Sequence, residues 1–300
     1  MTEFAQHIIN GLSLGSIYAL IALGYTMVFG VLQLINFAHG DVYMLGAFIG
    51  LYTARHLGFG VESSLINLLL TLAIAMTGCA LIGFVIERFA YRPMRKAPRI
   101  NVLITAVGVS LLIEFSSQLI FGSDPKFFPQ IYTPEIDLSV GHLKINPLQI
   151  IVLLTALTLM VILQFVVFRT RLGRAMRAVS FSHDTASLMG IPTNRVISYT
   201  FMLGSALAGA AGVLVGLTYP KIEPLMGVMP GLKAFVAAVL GGIGHVTGAV
   251  VGALLLGLAE ALLVGYWTST FRDALAFGLL ILVLLIKPSG LFGVRRTEKL

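Results

Sequence analysis

The sequence predicts an all-α integral membrane protein, a polytopic helical bundle of about eight or nine spans with broken or re-entrant helices. Three observations predict this class. Of the 300 residues, 57% are hydrophobic and 11% are charged, whereas a soluble domain carries roughly 45–50% apolar and about 25% charged residues. The apolar residues form runs long enough to cross a bilayer, which takes about 20 residues. The basic residues lie mainly between those runs, where orientation signals belong.

Five apolar runs have the length of a membrane span: residues 8–32, 64–86, 101–121, 148–168 and 196–218. Two later runs, 248–266 and 273–286, complete the bundle. The runs 41–54 and 232–243 are short and adjoin stretches that contain glycine and histidine. Non-helical backbone at membrane depth is tolerated only beside protein or a water-filled cavity. These two runs therefore predict broken or re-entrant helices, hint at a repeated unit, and leave the number of spans open between eight and nine.

The first apolar run is predicted to remain in the mature protein as a span. The residues before it, Thr2 to Gln6, lack the basic region of a secretory signal, and the run is too long for a signal core. Glycine pairs at four-residue spacing, such as Gly11 and Gly15 or Gly212 and Gly216, predict close packing between the spans.

The lone Cys79 lies in an apolar run, so no disulfide framework is expected.

The basic residues predict which ends of the helices face the cytoplasm. Segments 88–99, 169–195 and 287–299 hold 14 of the 20 Lys and Arg residues. The positive-inside rule places these segments in the cytoplasm, which puts the N-terminus outside with nine spans and inside with eight. The proline-containing segment 123–147 is the longest predicted external loop. Because the net charge of +7 is concentrated in short loops, it does not indicate nucleic-acid binding.

The sequence nominates no catalytic residue, cofactor or metal site. There is no Gly-Lys dipeptide and hence no P-loop, so ATP hydrolysis by a P-loop is excluded for this chain. His245 with Gly248 and Gly252 is similar to the histidine helix of a rhomboid protease, but the Gly-x-Ser-Gly setting of the nucleophile is missing. The six histidines show no i,i+4 pairing and no cysteine partners, which disfavours a metal site.

Polar side chains in or beside the apolar runs are the candidates for a transport pathway. Placing an ionisable group in a bilayer is costly, so such residues are usually functional or paired. The candidates are Asn36, His39, Asp41, Glu114 and Glu260. For Glu114 and Glu260 three roles remain open: a hydrogen bond between helices, the lining of a polar pathway, and an interface with a partner subunit. Glu87, at a membrane edge, is predicted to pair locally with Arg88.

The cytoplasmic segment 169–195 carries five arginines and then an apolar stretch. Asp184 is predicted to cap a short helix over Thr185–Met189, with Gly190 ending the helix and Pro192 following it. Apolar side chains exposed beside arginines indicate a docking surface for another protein. The alternative is a short helix that lies on the membrane surface.

Three separated blocks resemble one family, the LivH-type permease subunits of bacterial ABC importers for branched-chain amino acids. The blocks are Gly11–Gly24 with Asn36–Ala47, Gly173–Ala178 with Ala186–Ile191, and Ala237–Gly248 with Lys287–Gly293. The resemblance covers nearly the whole chain and implies one transmembrane permease domain, residues 1–300, in the bacterial inner membrane. It also implies transport of leucine, isoleucine or valine, energised by ATPase subunits.

The resemblance further implies a set of partners. These are a second, LivM-like permease, two ATP-binding subunits and an extracytoplasmic substrate-binding protein, with membrane lipid around the spans and no nucleic acid. The short cytoplasmic helix would be the coupling helix that sits in a groove of one ATPase, and its residues are Thr185, Ala186, Leu188, Met189, Gly190 and Ile191. Two alternatives remain: a permease of the same family for urea or short amides, and a secondary transporter driven by an ion gradient.

Overall fold

Long apolar helices make up most of the chain in the computed structural model, which describes residues 2–59, 64–95, 97–132 and 146–293. The helices are α1 Thr2–Leu32, α2 His39–His56, α3 Leu65–Ile86, α4 Arg92–Met94, α5 Arg99–Phe121, α6 Pro147–Arg169, α7 Arg171–Phe181, α8 His183–Leu188, α9 Thr193–Thr218, α10 Val228–Gly241, α11 Val246–Tyr266 and α12 Arg272–Ile286. A π-helical turn, Glu87–Tyr91, joins α3 to α4, and a 3-10 turn, Ser269–Phe271, precedes α12. The strands β1 Lys126–Phe127 and β2 Lys221–Ile222 pair antiparallel.

Within the described residues, seven helical stretches are long and apolar enough to cross a membrane. They are Glu3–Leu32, Leu65–Met94, Ile100–Phe121, Pro147–Arg169, Thr193–Thr218, Val246–Tyr266 and Ser269–Ile286. The two short predicted runs form α2, which is mostly buried, and α10, a shorter apolar helix. The predicted all-α polytopic membrane fold is therefore confirmed.

Glycine lets α1 and α11 pack together in opposite directions. A Cβ atom added at Gly11 would lie 2.9 Å from the Cα of Leu258, and one added at Gly15 would lie 2.9 Å from the Cα of Leu254. A larger residue at either position would push the two backbones apart. In a bilayer, such close packing is a main source of helix association, because lipid tails are as apolar as the side chains they replace.

Two sets of helices repeat one arrangement in opposite directions: α1, α2, α3 and α5, and then α9, α10, α11 and α12. In each set a long helix is followed by a non-helical segment and a short helix. The first helix of each set packs on the third helix of the other set, α1 on α11 and α9 on α3. Gly24 and Gly204 meet where α1 crosses α9, since a Cβ atom at Gly204 would lie 3.2 Å from the Cα of Gly24. This pattern is an inverted repeat, which is common in transporters.

The two short helices begin against each other, partway through the bundle. The ring Nε2 of His39, the first residue of α2, lies 3.2 Å from the carbonyl oxygen of Ile21, well before α1 ends. The chain between α1 and α2 therefore turns back into the protein. A Cβ atom at Gly40 would lie 2.5 Å from the carbonyl oxygen of Gly227, which precedes α10. The N-terminal ends of α2 and α10, both positive ends of helix dipoles, thus meet.

Contacts between loops establish the two ends of the bundle. Arg95 donates a 2.7 Å hydrogen bond to Asn194, which brings the first two arginine-rich segments to the same end as the C-terminus of α1. The β1–β2 pair lies at the opposite end, where Arg55 donates to the carbonyl of Phe127. The positive-inside rule predicts that the arginine-rich end faces the cytoplasm, and this orientation would place the N-terminus of α1 outside. In the predicted external loop 123–147, residues 133–145 lie outside the described residues, as do 294–300 of the basic C-terminal segment.

Candidate functional site

The arginine-rich end carries a helix, α7 (Arg171–Phe181), that the sequence analysis did not predict. Thr170 begins it, because its hydroxyl oxygen accepts a 3.1 Å hydrogen bond from the backbone N–H of Gly173. Gly173, Met176 and Val179 are buried against the bundle, while Arg174 and Arg177 between them are exposed. The guanidinium of Arg177 donates a hydrogen bond to the carbonyl oxygen of Val167 on α6. The three-residue spacing of the buried positions was the available signal, since it is typical of an amphipathic helix.

The next helix, α8, begins earlier than predicted. Ser182 has an extended backbone, and its hydroxyl oxygen accepts a 3.2 Å hydrogen bond from the backbone N–H of Thr185. The helix therefore starts at His183, and the prediction that Asp184 is the cap is wrong, because Asp184 already lies in the first turn. The prediction that Gly190 ends the helix is confirmed by its φ of +79°, a conformation that glycine adopts without strain.

The six candidate coupling residues divide into an inward and an outward set. Ala186 is buried, and its carbonyl oxygen accepts a 3.0 Å hydrogen bond from the backbone N–H of the half-buried Ile191. Leu188 and Met189 are 87% and 78% exposed, and Phe181 at the end of α7 is 87% exposed. The outward set consists of Thr185, Leu188, Met189 and Gly190. We call Phe181, Leu188 and Met189 the apolar tip. The predicted exposure of Leu188 and Met189 is confirmed, whereas the predicted exposure of Ala186 is wrong, because that side chain faces the bundle.

The helix that carries Leu188, α8, contacts the long central helix α1. His183, the first residue of α8, places its ring Nε2 3.0 Å from the carbonyl oxygen of Val31, near the end of α1. This contact joins α8 to α1, the helix that precedes the non-helical segment before α2.

A buried carboxylate, that of Glu87, lies in the π-helical turn after α3. Its carboxylate accepts hydrogen bonds from the guanidinium of Arg95 and from the hydroxyl of Ser198. The predicted pairing of Glu87 with Arg88 is therefore wrong. Adjacent residues on a helix point in different directions. Arg95 lies eight residues further along the chain, and Ser198 lies on α9, which packs beside this turn.

A charged cluster joins four helices in the outer part of the bundle. Glu260 is 1% exposed, and its carboxylate accepts hydrogen bonds from Lys233 Nζ at 3.0 Å and from the hydroxyl of Tyr18 at 3.1 Å. Arg272 Nε forms an ion pair with the same carboxylate at 3.0 Å. Lys233 also lies 2.8 Å from a carboxylate oxygen of Asp273. Because the cluster links α1, α10, α11 and α12, these contacts support the interhelical hydrogen-bonding role for Glu260.

The remaining pathway candidates lie around the start of α2. The hydroxyl of Ser110 donates a 2.5 Å hydrogen bond to Asp41, and Glu114, one turn further along α5, faces the same carboxyl group. Asn36 accepts a 2.9 Å hydrogen bond from the hydroxyl of Tyr91. Asn36, His39, Asp41 and Glu114 thus share one region, while Glu260 belongs to the charged cluster.

In the described part of the chain, no three His, Cys, Asp or Glu side chains come together to hold a metal ion.

Replacing Lys233 with methionine is expected to lower the free energy of unfolding by about 2–3 kcal/mol. The buried carboxylate of Glu260 would lose one cationic partner but keep Arg272 and Tyr18, so the cost falls below the roughly 3–5 kcal/mol of a buried charge left without any partner. Denaturant unfolding of the detergent-solubilised protein measures this change.

Lys221→Met is the matched control, because Lys221 forms an exposed pair with Glu223. Such a pair contributes about 0–1 kcal/mol. The double variant Lys233→Met/Glu260→Leu is expected to recover part of the loss, since an apolar pair replaces the charged one. Equal stability of the Lys233→Met and Lys221→Met proteins would contradict a stabilising role for the cluster.

The chain is similar in sequence to known permease proteins. The family model described as the permease component of a branched-chain amino acid transport system matches residues 7–284. The chain is 41% identical over 302 residues to the high-affinity branched-chain amino acid transport system permease protein LivH of Escherichia coli K12, covering 99% of this chain and 97% of the relative. It is 41% identical over 301 residues to BraD of Pseudomonas aeruginosa, with 99% and 98% coverage. The permease protein LivM of Escherichia coli K12 is 25% identical over 313 residues, with 95% and 70% coverage.

Proposed function

We propose a substrate and an assembly for this chain, which belongs to the family of permease components of branched-chain amino acid transport systems. The chain is a multi-pass permease subunit of the inner membrane of bacteria. Its substrates are leucine, isoleucine and valine. The observation that carries this proposal is the 41% identity to LivH and BraD over nearly the full length of both chains.

The proposed assembly contains a second permease of the LivM type, two ATP-binding subunits and an external substrate-binding protein. Two features of the chain support the need for partners. The chain lacks a P-loop, so the ATP must be hydrolysed elsewhere. The apolar tip is exposed on the cytoplasmic side, where an unpartnered apolar surface is costly and usually marks a binding site. We therefore assign ATP hydrolysis to the partner ATPases and no enzymatic activity to this chain.

In the proposed mechanism, closure of the ATPases on ATP pushes α8 and its apolar tip. The contact between His183 and Val31 passes this movement to α1. The short segment after α8 passes it to α9, where Asn194 and Ser198 contact Arg95 and Glu87 beyond the end of α3. Both routes lead to helices that cross at the Gly24–Gly204 contact beside the start of α2. Rocking of one repeat against the other at such a crossing would alternately open a pathway to each side.

Reconstitution tests this proposal. The chain is co-expressed with the neighbouring permease and ATPases, purified as a complex, and placed in liposomes with ATP inside and candidate binding proteins outside. We expect leucine uptake that requires both ATP and a loaded binding protein, with isoleucine and valine as competitors. Competition by urea or short amides instead would identify the alternative substrate class. Uptake driven by an ion gradient without ATP would overturn the importer assignment and direct attention to Asp41 and Glu114.

A further inference from the structure

A basic cavity opens on the cytoplasmic side of the bundle, beside the segment that carries α8. It has a volume of about 590 Å³ and lies between the end of α3, α4 and the start of α9. Three arginines line it, Arg88, Arg92 and Arg195, together with the apolar or aromatic side chains of Phe84, Tyr199 and Met202. The cavity therefore combines positive charge with an apolar wall.

The three arginines have no acidic partner among the described residues. The ion pair at this end of the described chain joins Arg95 to Glu87, and the second carboxylate oxygen of Glu87 accepts a hydrogen bond from Ser198. No Asp or Glu residue is among those that line the cavity. Since like charges gathered around one cavity repel each other, an anion that binds there gains from all three guanidinium groups.

The position of the cavity in the bundle indicates what kind of anion fits. Arg88, Arg92 and Arg195 lie where α3 ends and α9 begins, at the cytoplasmic edge of the membrane. Phe84 lies one turn further into the membrane on α3, and Met202 lies more than two turns into it on α9. Phe84 and Tyr199 are 39% and 48% exposed. An anionic head with an apolar tail satisfies both parts of the cavity, whereas a free anion would leave the apolar wall uncovered.

We propose that this cavity binds an anionic phospholipid from the cytoplasmic leaflet. The phosphate of the headgroup lies among Arg88, Arg92 and Arg195, and an acyl chain follows Phe84, Tyr199 and Met202 toward the bilayer centre. Basic pockets between spans on the cytoplasmic side are suited to anionic headgroups. Because Ser187 and Ile191 also line the cavity, the bound lipid lies directly beside α8.

Native mass spectrometry of the purified protein with phosphatidylglycerol or phosphatidylcholine tests the proposal. We expect the wild type to retain phosphatidylglycerol in preference to phosphatidylcholine. The triple variant Arg88→Gln/Arg92→Gln/Arg195→Gln is expected to bind phosphatidylglycerol about 100-fold more weakly, since each basic residue near an anionic lipid contributes several-fold. The control Arg55→Gln/Lys126→Gln/Lys221→Gln removes the same number of charges at the opposite end and should bind like the wild type.

Three outcomes would overturn the assignment. The first is equal retention of phosphatidylglycerol by the wild type and by the arginine triple variant. The second is thermal stabilisation of the wild type by inorganic phosphate that matches the stabilisation by phosphatidylglycerol, because the cavity would then be a site for free anions. The third is loss of ATPase binding in the arginine triple variant with unchanged lipid binding, because the arginines would then contact a protein.

Discussion

Replacing Leu188 and Met189 together with aspartate is expected to lower ATP-driven uptake by about 100-fold or more while the protein stays folded in the membrane. Both side chains are largely exposed, so the change removes almost no packing within the chain. In the proposed complex these side chains enter a groove of an ATPase. Burying two unpaired carboxylates there costs several kcal/mol, and a tenfold loss of affinity corresponds to about 1.4 kcal/mol.

The measurement is ATPase co-purification together with leucine uptake in liposomes. The matched control is Leu188→Met/Met189→Leu, which keeps an apolar surface of similar volume and should retain both binding and uptake. A thermal unfolding curve like that of the wild type shows that the aspartate variant is folded. Normal ATPase binding and normal uptake by the aspartate variant would show that α8 is not the coupling helix.

The second large effect is expected from Gly212→Val, which should prevent accumulation of folded protein. A Cβ atom at Gly212 would lie 2.6 Å from the backbone nitrogen of Ala47 and would also clash with the carbonyl oxygen of Tyr43. Both atoms belong to the backbone of α2, so no side chain can move aside. We expect a cost of about 3 kcal/mol or more, the upper part of the range for overpacking, against a total stability of about 5–15 kcal/mol.

Gly108→Val is the control, because no atom lies within 4 Å of a Cβ added there. Both glycines lie within long apolar helices, so the change in helix propensity from glycine to valine is similar for the two substitutions. The yield of monodisperse protein in detergent and its thermal midpoint are the readouts. If Gly212→Val gave the same yield and midpoint as Gly108→Val, the close contact between α2 and α9 would be refuted.

Most of the spans could be predicted from the sequence because hydropathy acts locally, and the charge distribution predicts their direction. A run such as residues 8–32 is apolar whatever surrounds it, and the excess of Lys and Arg on one side can be counted without knowing what these residues contact. The two broken helices were also visible, as runs too short to span. Helix caps are less predictable: Ser182 and Asp184 are both good capping residues, and only the backbone conformation decides between them.

The partners of buried charges could not be predicted, since they depend on which helices pack together. Nothing in the sequence near Glu260 points to Lys233 or Tyr18, which are brought to it by the inverted repeat. The sequence identifies the pathway candidates only as polar residues in or beside apolar runs, and their division into two groups required the structure. The basic cavity was missed for the same reason, because Arg88 and Arg195 lie on separate segments.

The pairing of α1 with α11 also has a consequence for how the protein is made. Tyr18 and Glu260 are 242 residues apart in the chain. At about 5–20 residues per second, the ribosome completes α11 some tens of seconds after α1 has entered the bilayer. During that interval the glycine face of α1 is covered by lipid or by a chaperone rather than by its final neighbour. The bundle is therefore assembled late, when most of its helices are already inserted, and any chain that stops before α11 leaves its first helix without its main packing partner.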